Sequence, residues 1–203
     1  MPELPFQKLF VLLFMMTGPL KVVPSFAHFT RGIEANRRNR IARRAIVFAA
    51  AGVILAVFVG FSIMKSWGAS PQALAAATGI LLLITAIQSL IGWPSPVQSQ
   101  NDDKSDRIAL SPVAFPTILP PFAVGVLILF GAYFPNLNNQ LKMIALAFLI
   151  LILDLIAMRY ADQIMNYIGS NVLQVLGAVF GVLQLSLAIQ MLFWSFGIPT
   201  TML

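Results

Sequence analysis

The sequence predicts an all-α membrane protein of six transmembrane helices, arranged as two inverted three-helix repeats whose first and fourth helices are broken. Three observations lead there. Hydrophobic residues make up 59% of the 203 positions and charged residues only 10%, against about 45–50% and about 25% in soluble globular chains. A water-facing surface cannot be assembled from so few charges. Most of the charges lie at 31–44, 102–107 and 159–162, leaving long apolar runs between them. The two halves of the chain also repeat one another in a register of 102 residues.

Crossing the hydrocarbon core takes about 20 mostly apolar residues in a helix. Runs at about 6–26, 45–64, 71–92, 108–131, 141–159 and 171–195 satisfy this. The last four are bounded by the breakers Ser70-Pro71, Gly92-Trp93-Pro94, Phe134-Pro135-Asn136 and Gly169-Ser170-Asn171. The first run is expected to be a retained helix, not a cleaved signal. Met1-Pro2-Glu3 supplies no basic n-region, and the run continues past Pro19 toward a basic stretch.

The net charge is +6, and six of the 13 basic residues (Arg31, Arg37, Arg38, Arg40, Arg43 and Arg44) fall in one stretch between two spans. Placed there they read as a topology signal, so no nucleic-acid partner is expected. With loops 31–44, 94–107 and 159–170 on one side, nine basic residues share that side, while Lys8, Lys65 and Lys142 lie on the other. The bias puts both termini outside the cytoplasm, in a bacterial inner membrane. Cysteine is absent and His28 is the only histidine, which excludes disulfides and thiolate metal sites. No nucleophile–base spacing is visible, so neither an enzyme nor a cofactor or metal site is expected.

The repeat is read from 72–90 and 174–192, which match without a gap at ten of nineteen positions, including Gly79/Gly181, Gln72/Gln174 and Gln88/Gln190. The same offset places Pro19 on Pro121. This divides the chain into a first repeat at 1–93, a polar cytoplasmic linker at 94–107 and a second repeat at 108–203. Three spans per half is an odd number, so the second half enters the membrane from the opposite side, as in many secondary transporters. Gly79 and Gly181 are expected to let their helices approach closely.

The candidate site follows from the breaks. Thr17-Gly18-Pro19-Leu20-Lys21-Val22-Val23-Pro24-Ser25 interrupts the first helix, and Pro112, Pro116, Pro120 and Pro121 interrupt the fourth. Broken backbone at membrane depth is tolerated only where protein or a water-filled cavity surrounds it. Free amides at a half-helix N-terminus suit a carboxylate, and loose carbonyls suit an ammonium or a cation. Thr17, Gly18, Pro19, Lys21, Thr117, Pro120 and Pro121 are therefore the expected substrate-binding residues. Lys21 either faces this cavity or snorkels to the headgroups. Asp154 either carries a coupling proton or pairs with Lys21, or it is held by Arg159 or Arg44 at the cytoplasmic end. Gln88, Gln184 and Gln190 are assigned to interhelical hydrogen bonds, and His28 to interfacial packing.

These residues resemble the MarC family of six-span inner-membrane proteins, also called the neutral amino-acid transporter group. The family's first motif, N-P-x-G-x-x-P-x-F, is matched at Pro19, Pro24 and Phe26, with Gly18 and Lys21 in place of its Asn and Gly. Its second, P-x-x-x-P-x-x-x-G-P-G, is matched at Pro112, Pro116 and Pro121, with Pro120 and Phe122 in place of its glycines. Arg37 to Ala45 is similar to the family's basic approach to the second helix, and Ala86-Ile87-Gln88 to the end of its third. The resemblance implies secondary transport of a small neutral amino acid by alternating access, with H+ or Na+ as the coupling partner. Lys21 and Phe122 put a cation and bulk where the family has bare backbone, which widens the expected solute to an anion. The competing expectation is a non-transporting membrane scaffold with its breaks packed shut. Oligomeric state is not fixed by the sequence.

Overall fold

Most segments form helices because they are apolar enough to leave hydrocarbon as their solvent, where every backbone amide and carbonyl must be bonded within the chain. A computed structural model describes residues 6–91 and 109–198, and among these every regular element is helical. Helix α1 runs Phe6–Thr17, α2 Pro19–Phe29, α3 Ala35–Ser66 and α4 Pro71–Ile91. A π-helical segment, Ala109–Ile118, leads into α5, Pro121–Tyr133. Helices α6 (Leu137–Arg159), α7 (Ala161–Ile168) and α8 (Ser170–Ser195) complete the chain. The expected linker 94–107 lies outside the described residues.

Five stretches are long and apolar enough to cross a membrane: Leu9–Phe29, Ala35–Ser66, Pro71–Ile91, Leu137–Arg159 and Val175–Ser195. The expected fourth span is not among them because its prolines divide it into the π-helical segment and the short apolar α5. Two further boundaries differ from expectation. The basic stretch 37–44 is no loop but the first turns of α3, since arginine is a good helix former and charge ends an apolar run without ending a helix. Likewise 159–170 holds the short helix α7 instead of an open connection.

The broken elements occupy the centre. Helix α2 packs against α6, α7 and the π-helical segment, while α5 packs against α4 and α3. Seven of the thirteen residues of α5 are buried, Phe122, Ala123 and Val126 among them. The outer surface inverts the pattern of a soluble protein. Val47, Leu55, Ile152, Val175 and Val182 are exposed, as a lipid-facing belt requires.

Helices α4 and α8 make the most extensive contact in the fold, and two glycines set its geometry. A methyl group added at Gly181 would lie 2.9 Å from the Leu90 side chain, and one at Gly79 would lie 3.3 Å from Leu192 and 3.2 Å from the Ala188 carbonyl. Gly79 and Gly181 share one repeat position, as do Leu90 and Leu192. Each glycine thus receives the leucine of the other helix. Numbering rises along one helix as it falls along the other, so the pair is antiparallel. Gly79→Ala should destabilise the protein by about 1 kcal/mol, because its methyl also meets a carbonyl that cannot turn aside, and Gly181→Ala by less, because the Leu90 tip can; both are read as shifted denaturation midpoints in detergent. A Gly181→Ala variant more destabilised than Gly79→Ala would contradict this seating.

Candidate functional site

The first break is one residue wide. Gly18 caps α2 with an extended backbone (φ −75°, ψ 172°), and Pro19 begins the helix, where its missing amide costs nothing. At the corresponding place in the second half, Pro120 caps α5 in nearly the same conformation (φ −69°, ψ 154°) and Pro121 begins it. The first turns match as well. The Lys21 amide donates to the Gly18 carbonyl at 3.1 Å, and the Ala123 amide to the Pro120 carbonyl at 2.9 Å. Pro24, expected to widen the first break, lies inside a continuous α2. The Phe115-Pro116 peptide bond is cis.

Lys21 is half-buried and does not snorkel to the headgroups. Its Nζ donates to Gln184 Oε1 at 2.6 Å, and Gln184 Nε2 donates to the Met15 carbonyl at 3.0 Å. The fully buried Gln184 of α8 therefore bridges the two sides of the break, linking the cation on α2 to the carbonyl end of α1. The Lys21 ammonium also stands 5.9 Å from the centre of the Phe122 ring, within cation–π range. This contact brings the two breaks together, because Phe122 directly follows Pro121.

The other predicted residues divide. Gly18 and Pro120 are buried where the breaks meet. Thr17 is buried too, but its hydroxyl donates to the Leu13 carbonyl at 2.9 Å and so is engaged by its own helix. Thr117 is half-buried on the π-helical segment. Asp154 is fully buried on α6, and neither carboxylate oxygen has a hydrogen-bond partner among the described residues. Arg159 and Arg44 do not hold it, and it does not pair with Lys21. Of the remaining glutamines, Gln88 is exposed, while Gln190 lines a cavity. His28 is exposed at the end of α2.

Two cavities flank the first break. One, of about 270 Å³, is almost wholly apolar and lies beside α1, between Leu12, Met16, Leu129, Tyr133, Leu187 and Trp194. The other, of about 720 Å³, has a mixed polar and apolar wall and lies beyond the break, with Pro24, His28, Arg31, Arg38, Asp162 and Asn166 among its lining. An ion pair between Arg38 of α3 and Asp162 of α7 forms part of the wall of this second cavity. Between the two, Val22, Val23, Ile118 and Phe122 are buried.

Sequence reasoning named Lys21 but not its partners. Gln184 was one polar residue among several on the third and sixth helices, and only the rotation of α8 singles it out. Phe122 stood out as a departure from a motif, with nothing to show that it meets Lys21.

Apolar helices, an outward-facing hydrophobic belt and a buried polar junction at two helix breaks define a multi-pass integral membrane protein. The sequence matches the family description "MarC family integral membrane protein" over residues 5–199. The chain belongs to the MarC family. It is similar to UPF0056 membrane proteins of Methanocaldococcus jannaschii, at 24% identity over 89% of this chain and 90% of that one, and of Pyrococcus abyssi, at 27% over 92% of each. A further relative is the UPF0056 membrane protein YvbG of Bacillus subtilis, 26% identical over 90% of each chain. No solved structure matches the chain.

Proposed function

We propose that the protein is a secondary transporter that moves a small polar solute, a neutral amino acid first among them, by alternating access. In this reading residues 1–93 and 108–203 are three-helix repeats of opposite topology, joined by the cytoplasmic linker 94–107. Both termini face away from the cytoplasm, in a bacterial inner membrane. The observation that carries the proposal is the pair of matched breaks, Gly18-Pro19 and Pro120-Pro121, capped alike 102 residues apart and meeting through Lys21 and Phe122. The antiparallel α4–α8 pair supports opposite topology. Flanking cavities on either side of a closed centre suit an occluded state of such a carrier.

Solute would bind at Gly18, Pro19 and Lys21 from one side and Thr117, Pro120 and Pro121 from the other, with Thr17 contributing through its backbone. An anionic group would meet Lys21 and the first amides of α2. Asp154, buried with no hydrogen-bond partner among the described residues, is the group to carry H+ or to meet Na+ during coupling. The residues act by binding alone, without catalysis or cofactor.

The test is uptake of radiolabelled amino acids by purified protein in liposomes under imposed proton or sodium gradients. Gradient-driven accumulation is expected. Asp154→Asn should keep the fold, bind solute and lose at least tenfold of the gradient-driven component while sparing exchange across the membrane. No movement of any amino acid under either gradient would remove the proposal. The closed, apolar surroundings of the break favour a second reading, a membrane scaffold, and that absence of flux is its signature.

A further inference from the structure

We propose that the first turns of α3 hold one anionic phospholipid, its headgroup on Arg43 and Arg44 and its acyl chain along the helix below them. A groove of about 310 Å³ on the outside of the fold is lined by Arg43, Arg44, Val47 and Phe48. Each arginine sits four residues before one of the apolar pair, so charge and hydrocarbon surface lie on one face of the helix. The face extends in both directions at three- and four-residue steps. Toward the start of α3 it includes the exposed Arg40, and away from it the exposed Ala51, Ile54 and Leu55. On the opposite side Ile41, Ala42, Ala45, Ala49 and Val53 are buried against the protein.

This surface is shaped for a lipid and not for a soluble ion. From Arg44 to Leu55 the helix rises about 16 Å, at 1.5 Å per residue, close to half of the ~30 Å hydrocarbon core. That is the depth of one leaflet. Val47 is 66% exposed and Leu55 59%, which leaves a continuous apolar track beneath the guanidinium groups. Arginine forks bind phosphate oxygens in pairs. The charge balance selects an anionic headgroup over a zwitterionic one. Within 31–44, Glu34 is the sole acid against six arginines, while Asp162, which reaches this region from α7, is engaged by Arg38 on the cavity side. A choline or ethanolamine group would meet the guanidinium cations, and no carboxylate is among the described residues that line the groove.

The experiment is native mass spectrometry of the full chain in mixed micelles with equal phosphatidylglycerol and phosphatidylcholine. The wild type should retain phosphatidylglycerol about fivefold or more over phosphatidylcholine, as expected where basic residues meet anionic lipid. Arg43→Gln/Arg44→Gln should bring the ratio to about one, and Arg43→Lys/Arg44→Lys should keep most of it. Arg31→Gln, which removes one charge from the second cavity instead, should leave the ratio unchanged. Equal retention by the wild type would overturn the proposal, as would a preference that survives in the double glutamine variant or one that falls equally in Arg31→Gln. Displacement of phosphatidylglycerol by millimolar inorganic phosphate would do so too, by assigning the arginines to a free anion.

Discussion

Gly18→Ala is expected to destabilise the protein by about 3 kcal/mol and to abolish any transport, while the matched change Pro120→Ala costs less than about 1 kcal/mol. The contrast comes from the backbone before each break. A methyl group at Gly18 would lie 2.2 Å from the Phe14 carbonyl oxygen, and a carbonyl inside a helix cannot swing aside as a side-chain tip can. That oxygen already accepts the Gly18 amide at 2.9 Å. The cap must therefore be a residue without a side chain. In the second half the cap carries a side chain, Pro120, without conflict, because the chain before it is wound as a wider π-helix. The Leu119 amide there donates five residues back, to Ala114. Denaturant titration in detergent reads both variants. A Gly18→Ala protein as stable as the wild type would mean that the first break can be rewound at no cost.

The second large effect is expected at Gln184. Replacing it with leucine strips Lys21 of its acceptor and the Met15 carbonyl of its donor, and hydrogen bonds to charged groups in such surroundings are worth about 1.5–3 kcal/mol. Gln184→Leu alone should therefore cost about 3 kcal/mol. The repeat supplies the compensating change. At the positions related by 102 residues, Lys21 and Gln184 correspond to Ala123 and Leu82, both fully buried and apolar. Lys21→Ala/Gln184→Leu writes the repeat-related pair, Ala123 and Leu82, into these two positions. The double variant should recover most of the stability lost by Gln184→Leu, a coupling of at least about 1 kcal/mol. On the proposed function it should also lose solute binding, so stability and activity part company. Additive losses would show that the Lys21–Gln184 contact contributes nothing of its own.

Much of this architecture was legible in the chain, and the reasons are specific. Proline reports on backbone directly, so Pro19 and Pro120-Pro121 mark both breaks in the sequence. Pro24 misled because proline also fits inside a helix when its neighbours supply the packing. Gly79 and Gly181 were readable as close contacts since they fall on one repeat position, each followed by bulky apolar residues. The inward face of α6 was not readable. Met143, Ala147, Ile150, Leu151, Asp154, Ala157 and Met158 are its buried residues, spaced at helical intervals, yet the lipid side of the same helix is equally apolar. Without a polar face for contrast, no periodicity distinguished Asp154's inward direction from a position near the interface. The Lys21–Gln184 bond joins residues 163 positions apart, and its register depends on how α8 is rotated, which composition does not record.

The crossed seating of α4 on α8 has a mechanical consequence. Sliding either helix along the other lifts both leucines from both glycines at once, so the couple resists shear at two points instead of one. It behaves as a strut. On the proposed carrier function, opening toward either side of the bilayer would come from hinging of the interrupted segments against this strut, at Gly18 and Pro120, with the strut moving as a single piece.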